Sequence, residues 1–473
     1  MTVTAFGPRT FKFVSEQLEL YDVRWPVKAV TDIMSNDSPR QMDREGIYSW
    51  VVLGASFTTM LIGPSLTYAT GVFHVAMLKE FNEDLVLTTW VGSTFGCMFA
   101  LAGPIASLII NVSDCRTCVV MSGVLMMTGL TTSFLVTDIR LLFLTVSLVA
   151  GLGMGLAGTG AIVVLGYYFP KNAAIASSIC LTGAGLGIFI HPTLVQFLLE
   201  KYGFHGAYLI TGGITFHACA AGMLMRPAVT ERWRQQHILG GQTLRQKITL
   251  SMCGTSTMIV SVIQNVSFIL FVASILCFSL GVSTQYQFLP EFFISQGSTL
   301  EKASLVVSVS GIGSILSRIL VGFAASEEKI GSATLFFSIN GIMAIFTFFI
   351  PLFKSSTYAR IAYGFILGLY TGGVWVLMAT LTLDILDLHN FATGVGIGRF
   401  FCGAGFLVGP PIAGTLVERS VTNYSAFLFS GAMFFSATVF GFLSTLKRRA
   451  RDPSKDTRQD TGHVSEALVT ASE

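Results

Sequence analysis

Charged residues in this chain collect in three stretches, and long apolar runs lie between those stretches. Of the 473 residues, 12% are charged and 52% are hydrophobic. The charges concentrate in residues 1–46, in residues 226–247 and after Phe442. Soluble domains carry charge on about a quarter of their residues, since charge keeps a surface in water. The pattern instead indicates apolar helices that cross a lipid bilayer and are joined by short polar loops.

Twelve of the apolar runs approach or exceed the length of about 20 residues that a helix needs to cross the hydrocarbon core. They occupy residues 49–75, 86–110, 118–137, 141–169, 173–199, 206–225, 266–294, 303–325, 331–353, 358–385, 391–417 and 424–446. A polar stretch divides them into two sets of six. The sequence therefore predicts an all-α membrane protein with twelve transmembrane helices in two six-helix bundles.

The two sets of six repeat one another along the chain. Gly103 and Gly322 are separated by the same number of positions as Pro192 and Pro411. Ala207 with Ala426, Gly212 with Gly431 and Phe216 with Phe435 keep the same offset. Such a parallel repeat resembles the plan of major facilitator transporters, whose substrate site lies between the halves near the midplane of the membrane.

The repeat and the polar stretches together predict five regions. These are an N-terminal tail (1–46), a first six-helix bundle (47–225), a central loop (226–264), a second six-helix bundle (265–446) and a C-terminal tail (447–473). The central loop contains the basic residues Arg226, Arg232, Arg234, Arg245 and Lys247. The C-terminal tail begins with Lys447 and Arg448. Because basic loops stay on the cytoplasmic side, both regions and the N-terminus are predicted to be cytoplasmic.

Two phrases in the sequence carry a more specific resemblance. Glu45, Gly46 and Trp50 follow an acidic-Gly-x-aromatic-x-Trp pattern before the first span. Tyr168, Phe169 and Lys171 open a Tyr-Phe-x-Lys phrase before the fifth span, with Asn172 where the pattern has arginine. Both phrases resemble the signatures of the monocarboxylate transporter family, and the resemblance extends over about residues 47–446. The chain is identified as an atypical member of that family.

Two arginines lie inside predicted spans, where a charge is costly and usually functional. Arg318 falls in the eighth span and Arg399 in the eleventh. A guanidinium binds both oxygens of a carboxylate at once, so both residues are predicted to bind substrate. The resemblance implies the same for Arg318, since the family places a substrate-binding arginine in its eighth helix. The alternative is that Arg318 pairs with a helix terminus or extends to the cytoplasm.

Two positions depart from what the resemblance implies for proton-coupled members. These members carry aspartate where this chain has Ser314, and lysine where it has Tyr68. Both residues are predicted to line the substrate site, although Tyr68 has packing as an alternative. The departures weaken proton symport and favour facilitated diffusion.

Two further residues are candidates for coupling or charge balance. His191 could carry a coupling proton, or simply hydrogen-bond to a neighbouring helix. Asp384 could be the counter-ion of Arg318 or Arg399, or lie in solvent at a helix end. Free thiols are predicted for all eight cysteines. No cofactor, metal site or catalytic constellation is expected.

The leading functional prediction is a plasma-membrane transporter of small monocarboxylates or related organic solutes that works by alternating access, with the lipid bilayer and a small-molecule substrate as partners. One alternative is a uniporter of bulkier aromatic or zwitterionic solutes, and another is a nutrient sensor that binds without transport. The net charge of +3 gives no indication of a nucleic-acid partner. The resemblance leaves open an accessory single-span glycoprotein, which some relatives use.

Overall fold

The computed structural model describes residues 39–169, 173–228, 232, 262, 264–326, 331–354, 356–386, 388–420 and 424–451. Within these residues every regular secondary-structure element is a helix. The α-helices are α1 (Pro39–Ile62), α2 (Thr70–Phe81), α3 (Leu85–Val112), α4 (Cys115–Thr132), α5 (Ile139–Leu142), α6 (Gly151–Tyr168), α7 (Ala173–Leu224), α8 (Val266–Ser295), α9 (Leu300–Ser326), α10 (Ser332–Phe348), α11 (Thr357–Ile385), α12 (Leu388–Arg419) and α13 (Ser425–Arg451). Short 3-10 helices cover Pro64–Ala69, Ser133–Leu135 and Ile350–Lys354, and a π-helix covers Phe143–Ala150. Residues from Val51 onward form one compact unit, which contains Arg318 and the cavity described below.

Ten helical stretches in the described residues are long and apolar enough to cross a membrane. One of them, Ile175–Leu224, contains two spans, because Gly203 has a non-helical backbone with φ 70° and ψ −177°. Only glycine adopts such a conformation without strain. The shorter α10 is also apolar and has 17 residues. Counting both segments of α7 and adding α10 gives the twelve predicted spans.

Large apolar side chains on these helices point away from the protein interior. Phe323, Phe435 and Leu320 are all more than half exposed. Many exposed apolar side chains of this size are unfavourable in water but match the hydrocarbon core of a bilayer. The chain is therefore a multi-pass membrane protein.

The first span is broken in its middle. The helix α1 ends at Ile62, a 3-10 helix begins at Pro64, and α2 starts at Thr70. Pro64 is the first residue of the 3-10 helix, where its missing N–H leaves no helical bond unmade. The break places Ser65 and Tyr68 on irregular backbone inside the membrane, where broken helices commonly form transporter binding sites.

The two halves meet along specific helix pairs. The helix α3 packs against α12, α7 against α9, and α2 against α8. Between α7 and α9 the hydroxyls of Thr193 and Ser308 are 2.7 Å apart. A Cβ atom at Gly311 would meet the backbone of Gly185 and Phe189, so glycine is what allows these two helices to approach so closely.

The cysteines agree with the prediction where they are described. The cysteines within the described residues form no disulfide: Cys97, Cys115, Cys118, Cys180, Cys219, Cys277 and Cys402. The remaining one, Cys253, lies outside the described residues, as do most of the central loop and both tails. The predicted region boundaries stay predictions.

Candidate functional site

Arg318 is buried between the two halves. It lies on α9, in the second half, and only 3% of the residue is exposed. One terminal nitrogen of its guanidinium donates a hydrogen bond to the backbone carbonyl oxygen of Leu181, on α7 of the first half. Among the described residues its Nε has no hydrogen-bond partner. The arginine therefore reaches across to the backbone of the opposite half.

No carboxylate is among the described electrostatic neighbours of the Arg318 guanidinium. It interacts electrostatically with the hydroxyl groups of Tyr68 and Tyr286 and with the thiol of Cys180. Asp384, the predicted counter-ion, is exposed at the end of α11 and is not among these neighbours. A buried cation without an anionic partner is costly, because dipoles replace only part of its lost hydration. A carboxylate bound beside Arg318 would provide the missing negative charge.

Aromatic rings form a wall beside this guanidinium. The rings of Tyr68 and Tyr286 meet edge to face, with centroids 4.6 Å apart. The hydroxyl of Tyr68 is within hydrogen-bonding range of the Trp375 side chain, and Trp375 stacks on Phe406 with centroids 6.3 Å apart. Tyr68 and Phe406 come from the first and second half, respectively. The wall can accept an aromatic ring by stacking or a cationic group over a ring face.

Ser314 lies one helical turn before Arg318, so both side chains emerge from the same face of α9. It is buried, and its hydroxyl has no hydrogen-bond partner among the described residues. Buried hydroxyls are normally paired, because an unpaired one costs free energy. Ser314 thus offers an unused hydrogen-bonding group next to the arginine.

Arg399 lies on α12 at a second position. Its guanidinium is 5.5 Å from the centroid of the Phe99 ring, and one of its terminal nitrogens is buried without a hydrogen-bond partner among the described residues. Its electrostatic neighbour is the thiol of Cys402, which also interacts with Tyr68. Cys402 is therefore the neighbour that Arg399 shares with the aromatic wall.

A small cavity lies between the halves next to the wall. Its lining residues are Thr67, Tyr68, Thr70, Gly92, Ser93, Val282, Ser283, Tyr286, Gln287 and Phe406. It has room for about one water molecule. An organic solute would need the halves to move apart before it could enter, as alternating access requires.

His191 is bonded within the protein. It is 3% exposed, and its Nδ1 lies 3.0 Å from the hydroxyl of Ser65, in the 3-10 helix of the first span. This contact is the bond to a neighbouring helix that the structural alternative predicted. A coupling role for His191 stays a prediction.

The signature residues that the structure describes lie at the ends of helices or on their surfaces. The hydroxyl of Tyr168 donates to the carbonyl oxygen of Arg226 over 2.8 Å, which ties the end of α6 to the segment that follows α7. Phe169 ends α6, and Trp50 is 64% exposed on α1. Lys171 is outside the described residues, and Glu45 and Gly46 lie in the first turns of α1. Tyr168 therefore has a local packing contact between two elements of the first half.

Sequence reasoning missed one ionisable pair between the halves. Nδ1 of His74 on α2 lies 3.8 Å from Oε2 of Glu291 on α8. The two residues are far apart in the chain, and each alone resembles an ordinary polar residue near the end of a span. Only the contact between α2 and α8 brings them together. The break in the first span was also missed, although Gly63-Pro64 was a visible signal for it.

Known proteins similar to this chain are membrane transporters. A family model described as Major Facilitator Superfamily matches residues 52–327 and residues 272–471. Monocarboxylate transporter 12 of Xenopus laevis is 27% identical over 86% of this chain and 91% of its own length. Monocarboxylate transporter 6 of Mus musculus is 27% identical over 86% and 89%, and monocarboxylate transporter 2 of Meriones unguiculatus is 26% identical over 90% and 92%. These matches confirm the predicted resemblance.

The fold also matches a solved structure. The crystal structure of the peptide transporter POT in complex with sulfate superposes with a TM-score of 0.63 and 15% sequence identity. The superposition covers 84% of this chain and 94% of that chain. The similarity confirms the predicted fold.

Proposed function

Because this chain belongs to the Major Facilitator Superfamily, we propose that it is a secondary transporter that moves small organic carboxylates across the membrane by alternating access. It is a transport protein rather than an enzyme, as its relatives indicate. Its substrate is a small molecule and its environment is the bilayer. The substrate class and the mode of coupling are the parts that we propose.

The buried, uncompensated charge of Arg318 is the observation that carries the proposal. Its described neighbours are two tyrosine hydroxyls, a thiol and a backbone carbonyl. None of these groups carries a negative charge in its ordinary state. A substrate carboxylate would accept hydrogen bonds from the guanidinium and from Ser314, whose hydroxyl is unpaired among the described residues. Hydrogen bonds to a charged group contribute about 1.5–3 kcal/mol each. Recognition of the carboxylate then lies at the boundary between the halves, where both can respond to it.

The aromatic wall favours a second candidate within transport, namely a uniporter of bulkier aromatic or zwitterionic carboxylates. Tyr68 stands where a lysine would otherwise add positive charge. Its ring meets that of Tyr286, and its hydroxyl is within hydrogen-bonding range of the Trp375 side chain. A substrate whose carboxylate binds Arg318 could place an aromatic ring or an ammonium group against these rings. A short monocarboxylate such as lactate would bind Arg318 without contacting these rings.

This chain has Ser314 and Tyr68 at the two positions where the proton-coupled members of the family carry aspartate and lysine. Ser314 and Tyr68 do not titrate near neutral pH in their ordinary states. We therefore propose facilitated diffusion down the gradient of the substrate. The plasma membrane, cytoplasmic termini and an accessory single-span glycoprotein remain predictions that rest on the sequence alone.

Uptake into cells that express the protein tests the proposal. The panel comprises lactate, pyruvate, butyrate, aromatic amino acids and creatine, with Arg318→Ala and Arg318→Lys beside the wild type. We expect saturable uptake of one solute class, and a loss of about 10- to 100-fold in Arg318→Ala, because about 1.5–3 kcal/mol of carboxylate binding disappears. Arg318→Lys keeps the charge but loses the two-pronged geometry, so partial uptake is expected.

Two outcomes would redirect the proposal. Wild-type uptake that is unchanged in Arg318→Ala would show that this arginine does not bind the substrate. Binding of a panel member to purified protein, together with no uptake by surface-expressed protein, would favour the nutrient sensor.

A further inference from the structure

His74 and Glu291 face each other where α2 of the first half meets α8 of the second half. The His74 side chain is fully buried, that of Glu291 is 21% exposed, and Nδ1 of His74 lies 3.8 Å from Oε2 of Glu291. Neither atom has a hydrogen-bond partner among the described residues. Two unpaired polar atoms that face each other across an interface indicate that something small belongs between them.

The other ring nitrogen of His74 fixes the position of its hydrogen. Nε2 lies 3.4 Å from the hydroxyl oxygen of Thr89 on α3. That hydroxyl donates its single hydrogen to the carbonyl oxygen of Leu85 at 2.5 Å, so it has none left for the ring. Nε2 must therefore carry the ring hydrogen. A neutral His74 then turns the lone pair of Nδ1 toward Glu291.

A lone pair and a carboxylate repel at this distance, whereas one proton held between them makes the contact attractive. We propose that the His74–Glu291 pair is a proton-binding site that holds the two halves together at this end of the molecule. The inference rests on the proposed alternating-access function, since α2 and α8 must separate for this end to open. Loss of the proton favours opening, and its binding favours closure.

The surrounding backbone shows how tight this contact is. A Cβ atom at Gly71, one turn before His74, would meet the carbonyl oxygens of Tyr286 and Gln287 on α8. The side-chain amide of Gln287 donates to the carbonyl oxygen of Thr89 over 2.9 Å. Separation of α2 from α8 thus cannot leave the His74–Glu291 contact intact.

Other titratable groups on the packed elements have their own contacts. His205 on α7 lies 3.6 Å from Glu80 on α2, and Tyr208 carries the ring that stacks on Phe73. Glu418 on α12 accepts a hydrogen bond from the backbone N–H of Val86 over 3.3 Å. Other charged groups on these elements are Lys79 in the last turn of α2, and Glu83 and Asp84 before the start of α3. His74 and Glu291 are the pair that joins α2 directly to α8.

Hydrogen–deuterium exchange of the purified full-length protein in nanodiscs, without substrate, tests this proposal. Exchange times at pH 5.5 and pH 7.5 are matched for the intrinsic chemical rate, and peptides from residues 70–81 and 266–295 are followed. In the wild type we expect exchange to be faster at the higher pH, by about threefold or more, because the halves open when the proton is lost. In Glu291→Gln the amide donates a permanent hydrogen to Nδ1, so both peptides should stay protected at both pH values.

His74→Gln is the second variant, and it should also abolish the pH dependence. His205→Gln is the matched control, because it removes a histidine–glutamate pair that lies within one half; its pH dependence should equal that of the wild type. A wild type without pH dependence, or a dependence that survives in both Glu291→Gln and His74→Gln, would overturn the proposal. Since no substrate is used, failure of the transport proposal would appear separately, as absent uptake.

Discussion

Arg318 and Arg399 are both arginines inside spans, but their surroundings suit them to different tasks. Arg318 contacts the backbone of the opposite half and lies beside two tyrosine hydroxyls. Arg399 lies over the ring of Phe99 and beside Cys402. A cation over a ring face is already stabilised, by about 0.5–2 kcal/mol. Arg318 is therefore the stronger candidate for the carboxylate, and Arg399 borders the same region from α12.

Tyr68 is expected to determine the size of the accepted substrate. In Tyr68→Ala the edge-to-face contact with Tyr286 and the contact with Trp375 are both lost. Uptake of an aromatic or zwitterionic carboxylate should fall by about 2- to 10-fold, since such ring contacts contribute about 0.5–1.5 kcal/mol. Uptake of a short monocarboxylate should change little. Competition between the two substrate classes measures the effect, and Tyr68→Phe, which keeps the ring, is the control. Equal losses for both classes would mean that Tyr68 only packs.

At the residue scale the sequence identified candidate side chains but not the groups that surround them. Arg318, Tyr68 and Ser314 were all identifiable, because a charge or a departure from a family pattern inside a span is visible in a single sequence. Their neighbours were not, because Leu181 and Tyr286 come from other spans and neither carries a distinctive pattern. The proposed counter-ion Asp384 was chosen by charge alone, and the structure describes it as exposed at a helix end.

At the scale of helices, the sequence predicted where the spans lie but not the local geometry of their backbone. Hydropathy located the spans, because burial in lipid demands a minimum apolar length. It did not reveal the 3-10 helix at Pro64–Ala69 or the π-helix at Phe143–Ala150, since both are as apolar as the helices around them. Irregular turns of this kind often mark functional positions in helices. The one at Pro64–Ala69 carries Tyr68 to the cavity.

Gly71 is expected to control how closely α2 approaches α8. In Gly71→Ala the new methyl group would meet backbone carbonyl oxygens of Tyr286 and Gln287, which cannot rotate away. The halves should then open at this end more readily, and exchange in residues 70–81 should rise by about 10-fold if 1.4 kcal/mol of contact is lost. Gly54→Ala is the control, because a Cβ atom there has no neighbour within 4 Å. Unchanged exchange in Gly71→Ala would show that the approach is not limiting.

At the scale of the whole molecule, the repeat explains why the site lies where it does. Each half has an apolar core of its own, and helix pairs α3–α12, α7–α9 and α2–α8 join the halves. Arg318 and the His74–Glu291 pair lie along these joints. The arrangement supports the proposed alternating access, in which two rigid halves move relative to each other.

The orientation in the membrane is a separate prediction from the basic loops. An epitope inserted within residues 226–264 should bind antibody only after cells are permeabilised, because Arg226 and the other basic residues of that loop are retained on the cytoplasmic side. A tag after the C-terminus should behave in the same way. Labelling of the loop epitope on intact cells would show that the orientation is opposite to the predicted one. The His74–Glu291 end would then lie on the cytoplasmic side.

The central claim is that Arg318 binds the carboxylate of the substrate, and a thermodynamic cycle tests it most directly. The binding affinities of a transported carboxylate and of its neutral primary amide are measured on purified wild type and on Arg318→Gln. The wild type should prefer the carboxylate by about 10- to 100-fold, which corresponds to about 1.5–3 kcal/mol for a charge-assisted hydrogen bond. Arg318→Gln should bind both ligands almost equally, so that the two changes are strongly non-additive. An undiminished preference for the carboxylate in Arg318→Gln would contradict the account.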